Sequence, residues 1–209
     1  MAGASLLAAA EPLPPFVVED SSAGVKIKTI KGKWAEFKNN LDELNANTFR
    51  KYSFKRNYKK TGYILLREQF YEGYRYVLVS RKTGKGFEID NVPVLSPDRK
   101  RLVTSSKDLV AKYNPNAIKI YKISPENLKL EWSWEPKDWG PSEPSWTDDG
   151  TVALRKVYVS TATMKEDVSN RLRIIQKNGG WTLWEEVPRP PKAEEPAAQE
   201  APAAQTENK

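Results

Sequence analysis

The sequence predicts an all-β fold: an antiparallel meander or sandwich, or a partial propeller-like sheet, with one short N-terminal helix. Three observations predict it. First, a turn occurs twice. Pro93-Val94-Leu95-Ser96-Pro97-Asp98-Arg99-Lys100-Arg101-Leu102-Val103 reads as strand, tight turn, strand, and so does Pro144-Ser145-Trp146-Thr147-Asp148-Asp149-Gly150-Thr151-Val152-Ala153-Leu154. In each, a Pro precedes a large apolar residue by two positions, and Ser or Thr, a turn Asp and an apolar run follow. The copies lie roughly 50 residues apart, near the period of four-stranded blade repeats. Second, short segments alternate apolar and polar residues, as in Leu128, Leu130, Trp132 and Trp134, which predicts strands with all four residues on one sheet face. Third, Gly-bearing turns join such segments, notably Lys82-Thr83-Gly84-Lys85-Gly86 and Asn178-Gly179-Gly180.

In chain order, residues 2–10 are small and apolar, and Ala8-Ala9-Ala10 before Glu11-Pro12 has the form of a signal-peptidase site. This is an export-signal remnant, with a disordered Ala-rich tail as the alternative. Pro12, Pro14 and Pro15 make a linker of the next stretch, so 1–23 stands apart from the folded domain. From Gly24, Val25, Ile27 and Ile30 alternate with Lys26, Lys28 and Lys31, predicting a strand. Trp34, Phe37, Leu41 and Leu44 fall at helical spacing and predict a short helix over 34–46. Residues 49–79 read as a strand pair turning at Glu72-Gly73, and further strands follow from Val77, Phe87, Ile118, Leu128, Val152, Arg171 and Trp181. A single β-rich domain over 24–187 gives way at Pro188 to a Pro, Ala and Glu tail, 188–209, with almost no large apolar residue, which is expected to be disordered.

Composition narrows the chemistry. The chain has 209 residues, no Cys and no His. Disulfides, thiol nucleophiles, Cys- or His-ligated metals and His-based acid/base catalysis are thereby excluded. No cofactor or metal is implied, and catalysis would rest on carboxylates, Lys or Tyr. No apolar run reaches the ~18 residues of a membrane helix. The net charge is +7 and the termini are slightly acidic, so the central domain is more basic than the total. Such a surface favours an anionic partner.

The Ser96-Pro97-Asp98 turn between Val94-Leu95 and Leu102-Val103 resembles the S-P-D-G hairpin of TolB-type and WD40-like propeller blades, with Arg99 in place of the Gly. The second copy keeps Gly150 but has Asp148 in place of the Pro. With Tyr113-Asn114-Pro115-Asn116 and Asp138-Trp139-Gly140-Pro141-Ser142, the chain also resembles a class of exported, uncharacterised bacterial proteins. The resemblance implies propeller-type β repeats and a periplasmic or secreted location, with a cytoplasmic one as the alternative; it implies no activity. Two or three repeats are too few to close a propeller.

Three constellations are candidates for function. Trp132, Trp134, Trp139 and Trp146 lie close in sequence among Pro136, Pro141 and Pro144. Trp139 and Trp146 could form an aromatic binding platform on a stiff loop, or could pack into the core. The run Arg50-Lys51-Tyr52-Ser53-Phe54-Lys55-Arg56-Asn57-Tyr58-Lys59-Lys60 interleaves cations and rings. Its cations could meet phosphates and its rings stack on bases, or the rings could point inward. The carboxylates Asp90, Asp98, Asp108, Asp138, Asp148 and Asp149 could hold an acid/base pair or a calcium ion, or could close Asx-turns. The expected function is a non-catalytic exported binding module whose partner is a protein or an anionic envelope polymer. Nucleic-acid or polyanion binding through 50–60, and a carboxylate-based hydrolase, are the alternatives.

Overall fold

Short reversals between strand-forming segments dictate a chain whose strands pair with their sequence neighbours. The computed structural model describes residues 16–112, 114–160, 163 and 165–185, and every regular element within them is a β-strand. The first sheet joins Val18–Ser21 (β1), Gly24–Lys28 (β2) and Trp34–Lys38 (β3). The second joins Lys51–Tyr58 (β4), Tyr63–Gln69 (β5), Tyr74–Ser80 (β6) and Gly86–Ile89 (β7). Val94–Leu95 (β8), Arg101–Ser106 (β9), Ala117–Ile123 (β10) and Leu128–Trp134 (β11) make the third. Gly140–Trp146 (β12), Val152–Val159 (β13), Glu166–Lys177 (β14) and Gly180–Glu185 (β15) make the fourth. All pairings are antiparallel and join consecutive strands. Among the described residues no helix is long and apolar enough to cross a membrane.

The sheets stack face to face in chain order. Val25, Ile27, Ile64, Leu66, Val77 and Val79 close the first interface, with Phe37, Tyr52 and Phe54 packed beside them. Tyr63, Leu65, Leu78, Leu102, Tyr121 and Leu128 close the second. Val103, Ile118, Ile120, Leu154, Leu172 and Ile174 close the third. The apolar run Tyr63-Ile64-Leu65-Leu66 in β5 is therefore buried throughout, because odd residues face the third sheet and even residues face the first.

Both copies of the repeated turn have the same construction. Ser96 Oγ donates to Asp98 Oδ1 at 2.7 Å and accepts from Arg101 N at 3.0 Å, while Lys100 N donates to Asp98 Oδ1 at 3.0 Å. Thr147 Oγ1 donates to Asp149 Oδ1 at 2.5 Å, and Thr151 N donates to the same oxygen at 3.1 Å. Arg99 at φ 59° and Gly150 at φ 79° occupy the same left-handed position. Arg99 holds it despite a Cβ that disfavours it.

Several expectations are corrected. The short helix over 34–46 does not form: 34–38 is β3, in which Ala35 and Phe37 pair with Ile27 and Val25 of β2. The helical spacing had no apolar surface to cover, since Leu41 is 47% and Leu44 100% exposed. Residues 49–79 hold three strands rather than a pair, because 59–62 form an additional turn. Leu128, Leu130, Trp132 and Trp134 do not share one face. A register shift opposite Ile120 and Tyr121 turns Leu128 to the second interface and Trp132 to the third, and leaves Leu130 and Trp134 about half exposed. Strand β1 lies within the stretch expected to be linker and pairs with β2 through Val18 and Ile27. The export-signal remnant at 2–10 and the tail at 188–209 lie outside the described residues.

The connections sort into two ends of the stack. At one, the loops 39–50, 70–73, 90–93, 107–116 and 135–139 gather, joined by Asn91 Nδ2 donating to Ser105 O at 3.1 Å and by Lys107 Nζ on Glu166 Oε1 at 2.5 Å. This is the loop end. At the other, tight turns meet. Ile30 N donates to Arg81 O at 2.8 Å, Arg81 N to Gly62 O at 2.9 Å, and Ser80 Oγ to Pro125 O at 2.6 Å. Ile123 N donates to Lys100 O at 2.8 Å. These bonds weld 29–33, 59–62, 81–85, 96–100 and 124–127 into one continuous turn end.

Candidate functional site

The two tryptophans of the expected platform both pack at the interface of the third and fourth sheets, at opposite ends of β12. Trp146 Nε1 donates to Val94 O at 2.9 Å, and its ring meets Trp181 edge-on at 6.0 Å. Trp139 packs against the same cluster, half-buried, with Lys156 Nζ 5.4 Å from its ring centroid.

The basic-aromatic run divides along β4. Tyr52 packs on Phe37 at 5.5 Å between centroids, and Phe54 lies in the same interface. A bulge between Phe54 and Arg56 then reverses the strand's faces, so Tyr58 joins the second interface and donates to Pro93 O at 3.2 Å. Lys51, Lys55, Arg56, Lys59 and Lys60 are exposed. Arg50 turns instead to a carboxylate absent from the sequence expectations. Glu68 is 1% exposed, on the apolar face of β5 beside Ile64 and Leu66. It accepts from Tyr52 Oη at 2.7 Å, Arg75 Nε at 2.6 Å and Arg50 Nη1 at 3.4 Å. Burial pulls the Arg75 guanidinium pKa down, but Glu68 and Glu88 outweigh it and hold the group above its ordinary value. Burial, then the bond to Glu68, raises the Tyr52 phenol. A charged residue at an alternation position otherwise apolar was the available signal for Glu68.

At the loop end, a cleft of about 520 Å³ opens between the second and third sheets, lined by Arg75, Glu88, Asp90, Lys107, Lys119 and Tyr121 among others. A second, of about 880 Å³, adjoins it through Asp108, Asn114 and Pro115 and runs toward Pro136 and Val159. Three carboxylates line the first cleft, and each is engaged. Glu88 accepts from Arg75 at 2.6 Å, Asp90 is paired with Lys119 at 2.9 Å, and Asp108 accepts the backbone N–H groups of Lys112 and Asn114, both at 3.0 Å. Burial, with the Asp90 charge added, pushes the Tyr121 phenol up to about 12. Among the described residues no three carboxylates converge as a metal ion requires.

Asp98 and Asp149 are turn residues. The Ser96 hydroxyl and the Lys100 N–H hold Asp98 below the usual carboxylate range. The Thr147 and Thr151 hydroxyls hold Asp149 at about 2. Asp138 and Asp148 are exposed in loops.

Charge divides unevenly between the ends. The five loops of the loop end carry seven carboxylates against four cations. At the turn end, each of the first four turns is basic: Lys31 and Lys33, then Lys59 and Lys60, then Arg81, Lys82 and Lys85, then Arg99 and Lys100 beside Asp98. All of these cations but Arg81 are exposed. Lys82 is paired with Glu126 at 2.7 Å, and its hydrogen bond and charge hold the Glu126 carboxyl below the usual range.

No family model matches the chain, and no curated protein matches it. Among solved structures it is similar to an endo-arabinase from Bacteroides thetaiotaomicron, with 9% identity over 82% of this chain and 75% of that one and a TM-score of 0.32. A score that low carries no argument for this chain.

Proposed function

We propose that the chain is a non-catalytic interaction module, exported from the cell, that meets an anionic partner through its basic turn end. The observation that carries this reading is the gathering of exposed cations on turns that hydrogen bonds hold side by side. Long-range attraction of this kind steers an acidic partner and raises its association rate. The aromatic half of the expected contact contributes less, since Trp139 and Trp146 pack at a sheet interface. The sheets themselves read as successive propeller-type blades of the TolB/WD40-like kind. The repeated turn, the strand order and the chain-order stacking support that reading.

The test is binding to a soluble polyanion, dextran sulfate, over a salt series. Affinity is expected to fall steeply and linearly on logarithmic axes as salt rises. Absence of binding at low salt, or binding indifferent to salt, would overturn the reading. Export is tested separately by the mature N-terminus of the protein expressed from its own locus: cleavage after Ala10 is expected, and a retained Met1 in the cytoplasm would refute it.

A further inference from the structure

Resting on the proposed anionic partner, we infer that the turn end of the first three sheets docks on the surface of an anionic phospholipid bilayer. Four features of that end point to a broad phosphate-bearing plane.

The first is breadth. The cations come from four turns on three consecutive sheets, held in fixed relation by main-chain hydrogen bonds from Ile30 to Arg81, Arg81 to Gly62 and Ile123 to Lys100, and by the Ser80 hydroxyl on Pro125 O, which joins the second sheet to the third. Cations spread in this way address an extended surface, and the clefts described above lie at the opposite end. The second is chemistry. The exposed cations are lysines apart from Arg99. Lysine is a compact point charge without the planar fork that reads a single phosphate or a base edge. Many such charges suit a diffuse negative layer, to which each adds attraction near the surface. The third is that the rings at this end do not line up as a stacking groove: Trp34 and Phe16, 41% and 37% exposed, are open, and the others are engaged. Tyr58 is tied to Pro93 O, and Phe87 lies under Lys85 at 4.9 Å. Phe16 sits between Phe54 at 5.7 Å and Arg81 at 5.8 Å. A strand of nucleic acid held by stacking needs exposed rings along a groove. The fourth is neutralisation. Lys82 has a carboxylate partner in Glu126, whereas Lys31, Lys33, Lys59, Lys60 and Lys100 have no ion pair among the described residues. Their charge is available to an outside partner. The patch stops at the fourth sheet, whose turn carries Asp148 and Asp149.

The experiment is sedimentation of the full chain with vesicles of phosphatidylcholine, with and without about one third phosphatidylglycerol. Three double variants accompany it: Lys59→Glu/Lys60→Glu and Lys31→Glu/Lys33→Glu at the turn end, and Lys51→Glu/Lys137→Glu as a loop-end control of equal charge change. All six positions are exposed, and unchanged thermal melting shows that each variant folds. Binding is expected to require phosphatidylglycerol and to weaken with salt. Each turn-end variant should lose at least about tenfold in partitioning, and the control less than about threefold. Equal losses in all three variants would overturn the orientation. Binding to dextran sulfate or duplex DNA without binding to vesicles would overturn the lipid partner and leave the anionic-partner reading standing. Binding to none of them would overturn both.

Discussion

Glu68 shows how one residue can organise a sheet interface. Its carboxylate is enclosed beside Ile64 and Leu66, yet it has a phenol and two guanidinium groups within reach. A buried carboxylate with partners is close to neutral in net stability, but removing one member leaves the others stranded. Glu68→Ala is therefore expected to destabilise the fold by about 2 kcal/mol, less than for a fully buried pair because Arg50 and Arg75 keep some access to water. Urea denaturation measures it, and a loss under about 0.5 kcal/mol would show that the cluster is incidental. The sequence shows the charge on an apolar face but not its partners, since Arg50, Tyr52 and Arg75 reach it only after β4, β5 and β6 are in register.

At the scale of the element, local chemistry was readable and register was not. The repeated turn was legible because Ser or Thr, Asp and a left-handed residue close it without help from the rest of the chain. That construction makes Arg99 the costly member of the pair. A side chain with a Cβ loses roughly 1–2 kcal/mol in the left-handed region, and Gly returns part of this through its greater freedom when unfolded. Arg99→Gly is expected to stabilise the protein by about 0.5–1 kcal/mol, read as a rise in Tm; a fall would mean that the arginine side chain is held by contacts of its own. The bulges in β4 and β11 were not legible. Each adds one residue on one strand, and every side chain beyond it changes face. Strict alternation through 128–134 therefore gave the wrong shared face, whereas Tyr52, Phe54 and Tyr58 all pack inward but into two different interfaces. The segment at 34–46 failed for a different reason. Its helical period and its strand potential compete over few residues, and pairing with β2 decides the outcome.

Across the whole molecule, uninterrupted apolar runs distinguish a stack from a two-layer sandwich. In a sandwich each strand keeps one wet face and alternates, whereas β5, β9 and the end of β6 are buried on both faces. The three separate hydrophobic clusters mean that each sheet depends on its immediate neighbours, as in repeat proteins. Amide hydrogen exchange should therefore be graded: slowest in β5, β6, β9 and β10, and faster in β14 and β15, whose sheet has one covered face among the described residues. Uniform protection across all four sheets would indicate a single cooperative unit instead.

Among the described residues, the uneven division of charge between the two ends makes an electric dipole along the stack's strand direction. Near a negative plane, a dipole experiences torque as well as net attraction, so the molecule rotates before it touches. On the anionic bilayer proposed above it would arrive with the lysine-bearing turns leading and the clefts beside Asp90 and Asp108 trailing, open to the solution. Alignment of this kind makes every adsorbed copy present the same face outward, so a dilute population becomes a uniformly oriented layer without any contact between its members.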